Sequence, residues 1–263
     1  MEWIRITARG NGAVKEAASL REKKYRDRLG LFPAEGFTLL REAVESGIDP
    51  EKVFAAERSE KRVASLFESS SFGGRFYLLP DGVFEKITSE KGSEGVVSLF
   101  PARAAKGEPD PENGSFFLVL ENLQDPGNVG TVLRTAAALG CDGVYLAGCA
   151  DPFSPKAIRA SMGAVFHQRF QIFSGSGEVF SLLKENKIVS RAMALKKDAA
   201  LLSEVSFAGK TAFWIGNEGH GLSKETLSQC EGSVLIPMRE MESLNAAVAA
   251  SILLWEKARR EKR

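Results

Sequence analysis

Three short polar stretches, each following an apolar run, carry the side chains best suited to chemistry. The first is "ENLQDPGNVG" after "FFLVL", the second is "GNEGHGLS" after "TAFWI", and the third is "PMREMESLNAAVA" after "SVLI". Apolar runs of this length that are followed by polar turns and helical patterns indicate strand–turn–helix units. Ligands bind at the carboxyl ends of strands in open α/β sheets. The three turns are therefore candidate parts of one binding site.

The first turn leads into a helix that carries Asn128 and Arg134. The apolar side chains of this helix form one stripe, made of Val129, Val132, Leu133, Ala136 and Ala137, and Gly140 fits a helix stop. Arg134 lies off the stripe, so packing does not require it. Asn128 as a helix cap and Arg134 as a solvated charge is one interpretation. The other is an amide and a guanidinium that hold a ribose hydroxyl and its phosphate.

The second and third turns offer a carboxylate, a hydroxyl and a second amide. The second turn has neither the GK[ST] ending of a Walker loop nor the GxGxxG pattern, but its glycines allow close approach of the backbone to a ligand. Glu218 is either a functional carboxylate or an ordinary loop residue. Ser243 is either a functional hydroxyl or a helix cap, and Asn245 is either functional or a first-turn residue of the last helix. The residue types alone leave these alternatives open.

The elements that must position these turns form an α/β protein of two domains. Residues 101–114 are rich in Pro, Gly, Ala and charge and predict a linker. Residues 1–100 alternate helix-like stretches with short apolar runs, which predicts a smaller α/β domain. Residues 115–263 alternate "SFFLVLE", "GVYLAG", "QRFQIF", "KIVSRAMAL", "TAFWIG" and "SVLIP" with helical patterns. Strands that alternate with helices predict βαβ units and a mainly parallel sheet.

Composition restricts the partners and the compartment. The net charge is only +1, so affinity for a nucleic acid must come from local patches. The run "REKKYRDR" at residues 21–28 has five basic residues around Tyr25 and is either a solvated helix face or an RNA contact. No apolar run reaches the ~18 residues of a membrane span, and the first residues lack the pattern of a signal peptide. The three scattered cysteines predict reduced thiols in a cytoplasmic protein and no structural metal site.

Together, and in this order, the three motifs resemble those of the SpoU (TrmH-like) RNA ribose 2′-O-methyltransferases of the SPOUT superfamily. The resemblance covers residues 115–263. The stretch "REKKYRDRLGLFPAEGFTLLREAVESGIDPEKVFAAE" is similar, more loosely, to the substrate-binding domain of that family, which has an L30e/L7Ae-like fold. The separate N-terminal domain favours rRNA over tRNA as substrate, by analogy only.

The resemblance implies a trefoil-knotted methyltransferase domain that binds S-adenosylmethionine in the knot loops, without a metal, and dimerises with a second copy through the knot region. It implies a catalytic set made of Asn128, Arg134, Glu218, Ser243 and Asn245. It implies cofactor contacts at Gly216, Asn217, Gly221, Ile236, Met238 and Leu244. Ala246 and Ala247 depart from the Val-Ser that many relatives carry after "LN", which removes a hydroxyl next to the cofactor contacts.

The chemistry of methyl transfer assigns these residues different tasks. Transfer to a ribose hydroxyl requires alignment and polarisation of a poor acid. A guanidinium is always protonated, so we expect Arg134 to anchor the adjacent phosphate and stabilise developing oxyanion charge, and Glu218 to organise its loop. A non-catalytic RNA-binding protein with the same fold is one alternative. A Rossmann-type enzyme is another, but it requires a glycine fingerprint that "ENLQDPGNVG" does not provide.

Overall fold

The computed structural model describes residues 2–68, 73–89, 93–105, 107–240 and 243–261. It divides the chain into two compact units. The first comprises Met1–Ala105 and Asp151–Phe166, and the second comprises Lys106–Ala150 and His167–Arg263. The division between Ala105 and Lys106 falls inside the predicted linker. The segment Asp151–Phe166, which the sequence analysis assigned to the second domain, groups with the first unit.

The secondary structure of the described residues alternates strands with helices along the chain. The strands are β1 Trp3–Arg5, β2 Leu31–Glu35, β3 Lys52–Ala56, β4 Arg75–Leu79, β5 Val96–Pro101, β6 Phe116–Glu121, β7 Gly143–Ala147, β8 Phe170–Phe173, β9 Val189–Met193, β10 Ala200–Leu201, β11 Thr211–Ile215 and β12 Gly232–Leu235. The helices are α1 Gly12–Ser19, α2 Lys23–Leu29, α3 Phe37–Glu45, α4 Glu60–Leu66, α5 Asp81–Phe84, α6 Pro126–Ala138, α7 Pro155–Ser161, α8 Ser176–Glu185, α9 Lys224–Gln229 and α10 Ala246–Glu261.

The first unit is built on a five-stranded mixed sheet in the order β1-β4-β3-β5-β2. Strand β5 runs antiparallel to both of its neighbours and ends at Pro101, which pairs with Leu31. A 3-10 turn follows at Ala102–Ala104. The first residues of the predicted linker are therefore ordered, because the last strand of this sheet extends into them.

The segment Asp151–Phe166 completes the core of the first unit. The rings of Phe153 and Phe166 lie 5.0 and 6.1 Å from the ring of Phe32, and Phe166 lies 4.9 Å from Phe100. These buried aromatic contacts explain why the segment joins this unit, although the sequence around it belongs to the second.

The second unit is built on a seven-stranded sheet in the order β10-β12-β9-β11-β6-β7-β8. Every pairing in this sheet is parallel, as the alternation of strands and helices predicted. Every residue of β6, β7 and β11 is buried, which explains their unbroken apolar runs. The two-residue strand β10 was not predicted, because it is too short to show a pattern.

The topology brings the three polar turns toward one edge of the sheet. Strands β6 and β11 are neighbours, so the first two turns leave the sheet side by side. Strand β12 is separated from β11 by β9, but α10, which follows the third turn, packs against α6. This packing places the third turn next to the first. None of the helices in the part of the chain described is long and apolar enough to cross a membrane.

Candidate active site

The first turn fixes the start of α6 and leaves the side chain of Asn128 available. Asp125 caps the helix: its Oδ1 accepts hydrogen bonds from the backbone N–H groups of Gly127 at 2.5 Å and Asn128 at 3.1 Å. Pro126 occupies the first helical position, where its missing N–H has no cost. The interpretation of Asn128 as the cap is therefore wrong. Helix α6 begins at Pro126, two residues before Asn128, so the Asn128 amide lies within the first turn of the helix.

The second turn is a closed loop between β11 and α9. Backbone hydrogen bonds join Asn217 and Gly221 in both directions, at 3.1 and 2.9 Å. The side-chain oxygen of Asn217 accepts from the N–H groups of Gly219 at 2.8 Å and His220 at 3.2 Å. A Cβ on Gly216 would lie 2.2 Å from the carbonyl carbon of Gly221. Only glycine fits at position 216, because the loop closes back onto its own first residue.

The first and second turns are joined through Asn128. Its Nδ2 donates to Glu218 Oε1 at 2.7 Å. The backbone carbonyl of Asn122 accepts from Asn217 Nδ2 at 2.8 Å. Asn122 has a φ of 55°, a left-handed conformation that Asn tolerates better than most residues. The turn thereby directs this carbonyl at the neighbouring loop.

The third turn joins the same network through Asn245. Its Oδ1 accepts from the backbone N–H groups of Ala247 at 2.9 Å and Val248 at 3.2 Å, so Asn245 caps α10. Its Nδ2 donates to Asn128 Oδ1 at 3.2 Å. These partners fix the orientation of both amides, since the Glu218 carboxylate can only accept. Asn245, which precedes the first residue of α10, is therefore the cap. The interpretations of Ser243 as the cap and of Asn245 as a first-turn residue are both wrong.

A pocket of about 410 Å³ lies beside this network, at the carboxyl ends of β9, β11 and β12. All six residues predicted to contact a cofactor line it, namely Gly216, Asn217, Gly221, Ile236, Met238 and Leu244. Glu218 and Ser243, from the predicted catalytic set, also line it. Asn128, Asn245 and Arg134 do not line it, although Asn128 contacts the lining residue Glu218 and Asn245 contacts Asn128. The structure thus brings together every residue of the two predicted sets except Arg134, while their individual roles stay predictions.

The sequence analysis did not predict the part of the pocket wall that is formed by the last residue of β9 and the residues after it. Met193, Ala194, Leu195 and Lys196 line it. The signal was present, because β9 was predicted as a strand and its carboxyl end had to meet the same edge of the sheet. The turn after β9 has no glycine or serine among its first residues, so it did not resemble the other three turns.

Arg134 lies on the exposed side of α6. Its guanidinium makes no hydrogen bond or ion pair with any described residue, whereas Val129, Val132, Leu133 and Ala136 of the same helix are buried. An exposed, unpaired guanidinium retains its full donor capacity for an anionic ligand. The prediction that packing does not require Arg134 is confirmed.

The thiols in and near the site are not nucleophiles. Cys141, Cys149 and Cys230 are free, and burial raises the pKa of each thiol to about 12. They are therefore protonated at neutral pH. Among the described residues, no group of three or more His, Cys, Asp or Glu side chains is placed to hold a metal ion.

The basic run at residues 21–28 is only partly available to an RNA. Arg26 is 6% exposed and forms an ion pair with Asp151 at 2.6 Å, while its Nη1 donates to the carbonyls of Leu20 and Arg21. The Arg21 guanidinium donates to the carbonyls of Lys86 and Thr88. Arg21 is exposed but donates to these two carbonyls, whereas Lys23, Lys24 and Arg28 are exposed without such backbone contacts among the described residues. Lys24 and Arg28 lie over the ring of Tyr25. The interpretation of all five as one surface patch is wrong for Arg26.

The fold and the site together define an α/β protein with a ligand pocket at the carboxyl edge of a parallel sheet. Residues 115–255 match the family model of the SpoU rRNA Methylase family, and residues 11–98 match that of the MRM3-like substrate binding domain. The chain belongs to the SpoU rRNA methylase family. The family identified from the three motifs is thereby confirmed.

Individual relatives agree with this assignment. The chain is 34% identical, over 97% of its length and 94% of the relative, to an uncharacterized tRNA/rRNA methyltransferase of Synechocystis. It is 31% identical, over 95% of its length and 97% of the relative, to the 23S rRNA (guanosine(2553)-2′-O)-methyltransferase RlmP of Bacillus subtilis. The crystal structure of an AdoMet-bound rRNA methyltransferase from Sinorhizobium meliloti superposes with a TM-score of 0.85 at 28% identity, over 98% of both chains.

Proposed function

We propose that this protein transfers a methyl group from S-adenosylmethionine to a ribose 2′-hydroxyl of RNA, with rRNA as the substrate class. The observation that carries the proposal is the junction of Asn128, Glu218 and Asn245 beside one pocket at the carboxyl edge of a parallel sheet. Relatives that are 23S rRNA 2′-O-methyltransferases support the reaction, and solved structures of similar methyltransferases with bound AdoMet support the cofactor.

The pocket suits a ligand that has both an apolar and a polar part. Its volume of about 410 Å³ lies within the range of small-molecule sites. Apolar side chains such as Leu222, Val234 and Ile236 form part of its wall, and the backbone of the 216–221 loop adds N–H and C=O groups. A nucleoside base and its ribose require this mixture. S-adenosylmethionine carries a methyl group on a sulfonium. The ribose oxygen can attack this methyl carbon, so that the C–O bond forms as the C–S bond breaks, S-adenosylhomocysteine leaves and the hydroxyl proton passes to solvent.

Arg134 is proposed to bind the phosphate next to the target ribose and to stabilise negative charge that develops on the ribose oxygen. Its guanidinium stays protonated at any physiological pH, so it acts as a donor and not as a base. It has no partner among the described residues that would compete for these donors. An electrostatic contact of this kind lowers an activation barrier by about 3–4 kcal/mol in enzymes that use one.

We propose that three side chains hold the three turns in fixed relative positions for this reaction, namely those of Asn128, Glu218 and Asn245. The carboxylate of Glu218 accepts from Asn128, and Asn128 accepts from Asn245, so each turn restrains the next. Ser243 lines the pocket with an exposed side chain and is proposed to contact the substrate or the cofactor. Alignment of reacting groups within a site of this kind contributes roughly 7–11 kcal/mol in favourable cases.

A homodimer is proposed on the evidence of one exposed face. Val248 and Trp255 of α10 are 46% and 58% exposed and lie seven residues apart, which places them on the same side of the helix. Arg134 is exposed on α6, which packs against α10. A second copy on this face would cover the apolar side chains and bring Arg134 next to an interface. We also propose the trefoil knot and a cytoplasmic location, the first from the family and the second from the substrate.

The test is methyl transfer to defined RNAs. Ribosomal RNA and tRNA from cells that lack the gene would be incubated separately with the purified protein and methyl-labelled S-adenosylmethionine, with a chelator present. We expect label in rRNA alone. Label in tRNA alone would show that tRNA, and not rRNA, is the substrate. No label in either RNA, with cofactor binding intact, would favour a non-catalytic RNA-binding protein.

A further inference from the structure

Glu121 is a buried carboxylate that the proposed reaction does not use. It is the last residue of β6 and is 2% exposed. Its Oε2 accepts from the backbone N–H of Ser223 at 2.9 Å, and its Oε1 accepts from Ser223 Oγ at 3.0 Å and Thr226 Oγ1 at 2.6 Å. Thr226 is fully buried. Burial of a carboxylate is costly unless donors satisfy it, and here three donors from one segment do so.

All three donors lie where the 216–221 loop ends and α9 begins. Ser223 is the N-cap of α9, since its Oγ also accepts from the backbone N–H of Thr226 at 3.1 Å. The other end of the loop is held by the bond from Asn217 Nδ2 to the carbonyl of Asn122. The loop is thereby tied at both ends to two consecutive residues of the first turn, Glu121 and Asn122.

We propose that Glu121 is a positioning residue for the cofactor, which it holds indirectly by fixing the 216–221 loop at the wall of the pocket. The inference rests on the proposed function, because it takes the pocket to be the S-adenosylmethionine site. A carboxylate suits this place because it only accepts hydrogen bonds. A glutamine of the same shape would place an NH₂ donor against groups that already donate. The loop would then shift, and its backbone groups would lose their alignment with the ligand.

The experiment compares S-adenosylmethionine affinity by calorimetry in the full chain and four variants, with urea unfolding of each. Glu121→Gln replaces one of the two acceptor oxygens with a donor, Thr226→Val removes one donor with little change in shape, and Thr226→Ser restores that donor. Asp142→Asn is the matched control. Asp142 accepts from the N–H groups of Ser115 at 2.8 Å and Phe116 at 2.9 Å, at the opposite end of the same strand, away from the pocket.

We expect Glu121→Gln to raise the Kd at least about tenfold and Thr226→Val to raise it several-fold. Thr226→Ser and Asp142→Asn should stay within about twofold of wild type, even where Asp142→Asn lowers the urea midpoint as much as Glu121→Gln. Unchanged affinity in both Glu121→Gln and Thr226→Val would overturn the inference, as would an equal loss in Asp142→Asn. If Glu121→Gln does not fold, the comparison of Thr226→Val with Thr226→Ser tests the inference, and equal affinities of these two variants would overturn it. A wild-type protein that does not bind S-adenosylmethionine would instead overturn the proposed function.

Discussion

Asn128 Nδ2 donates to Glu218 Oε1 at 2.7 Å and so joins two turns that lie 90 residues apart in the sequence. Asn128 also accepts from Asn245, so its amide is the one group in contact with both other turns within the described part of the site. A neutral amide is required there, because it must donate on one side and accept on the other.

Asn128→Asp should therefore disrupt the site without unfolding the protein. The new carboxylate would face that of Glu218, and like charges at this distance repel. We expect turnover to fall about 10²-fold, as for the loss of a positioned electrostatic group, and the free energy of unfolding to fall by no more than about 1.5 kcal/mol. Adding Glu218→Gln restores a donor opposite the carboxylate, so the double variant should regain part of the activity. Single-turnover methylation by the wild type and these two variants tests this, and a double variant no more active than Asn128→Asp alone would contradict the assignment.

Arg134→Ala should separate activity from stability. Because the side chain is exposed and unpaired, we expect the free energy of unfolding to change by less than about 0.5 kcal/mol. Turnover should fall about 10²-fold or more, and Arg134→Lys should restore only part of it, since an ammonium lacks the planar fork. Cofactor affinity should stay within a few-fold of wild type. A near-normal methylation rate in Arg134→Ala would show that Arg134 is a solvated surface charge without a role in catalysis.

Gly216→Ala and Gly219→Ala form a matched pair in the second turn. A Cβ on Gly216 would clash with the backbone of Gly221, whereas on Gly219 the nearest atom is Asn217 Oδ1 at 3.4 Å. We expect Gly216→Ala to weaken S-adenosylmethionine binding more than about tenfold and to destabilise the protein by about 1–3 kcal/mol. Gly219→Ala should bind nearly normally. Equal affinities of the two variants in calorimetry would show that closure of this loop does not shape the pocket.

Arg26→Ala should destabilise the first unit. Its ion pair with Asp151 is buried, and removal of one partner leaves an uncompensated charge, which costs about 3–5 kcal/mol. Lys23→Ala is the control on the same helix, because Lys23 is exposed and forms an exposed ion pair with Asp27 along α2. Urea unfolding should show the loss of stability for Arg26→Ala and not for Lys23→Ala.

The packing of residues 151–166 in the first unit also affects how RNA affinity should be tested. Deletion of residues 1–105 would expose the apolar side of 151–166, so substitution of Lys23, Lys24 and Arg28 is a better test of RNA affinity than deletion.

The three thiols should resist alkylation in the folded protein. A pKa of about 12 is raised above the ordinary thiol value, so at pH 8 the reactive thiolate is a fraction of only about 10⁻⁴. We expect iodoacetamide to modify the protein slowly at pH 8 and quickly after unfolding in urea, with mass spectrometry as the readout. Rapid modification of Cys149 in the native protein would show that the first turn opens.

The sequence predicted the parts of the site that depend on local pattern. The buried runs of β6, β11 and β12 and the polar turns after them were sufficient to place Asn128, Glu218 and Asn245 at one edge of the sheet, because parallel strands present their carboxyl ends there. The packing of α10 on α6, which brings the third turn to the first, could not be predicted from these runs. The N-cap was misplaced, since "QDPGN" offers two capping residues and Pro126 decides between them only once the helix start is known. The buried pair of Arg26 and Asp151 could not be predicted, because a basic run has the same sequence whether its partner is solvent or a carboxylate 125 positions away.

The measurement that tests the central claim most directly is the alkali resistance of the methylated product. Ribosomal RNA would be labelled with methyl-labelled S-adenosylmethionine by the wild-type protein and then hydrolysed in alkali, which cleaves only next to a free 2′-hydroxyl. If the protein is a ribose methylase, the label is recovered in dinucleotides, at one position, and Arg134→Ala incorporates it about 10²-fold more slowly or worse. Label recovered in mononucleotides would contradict the account, because the methyl group would then lie on a base.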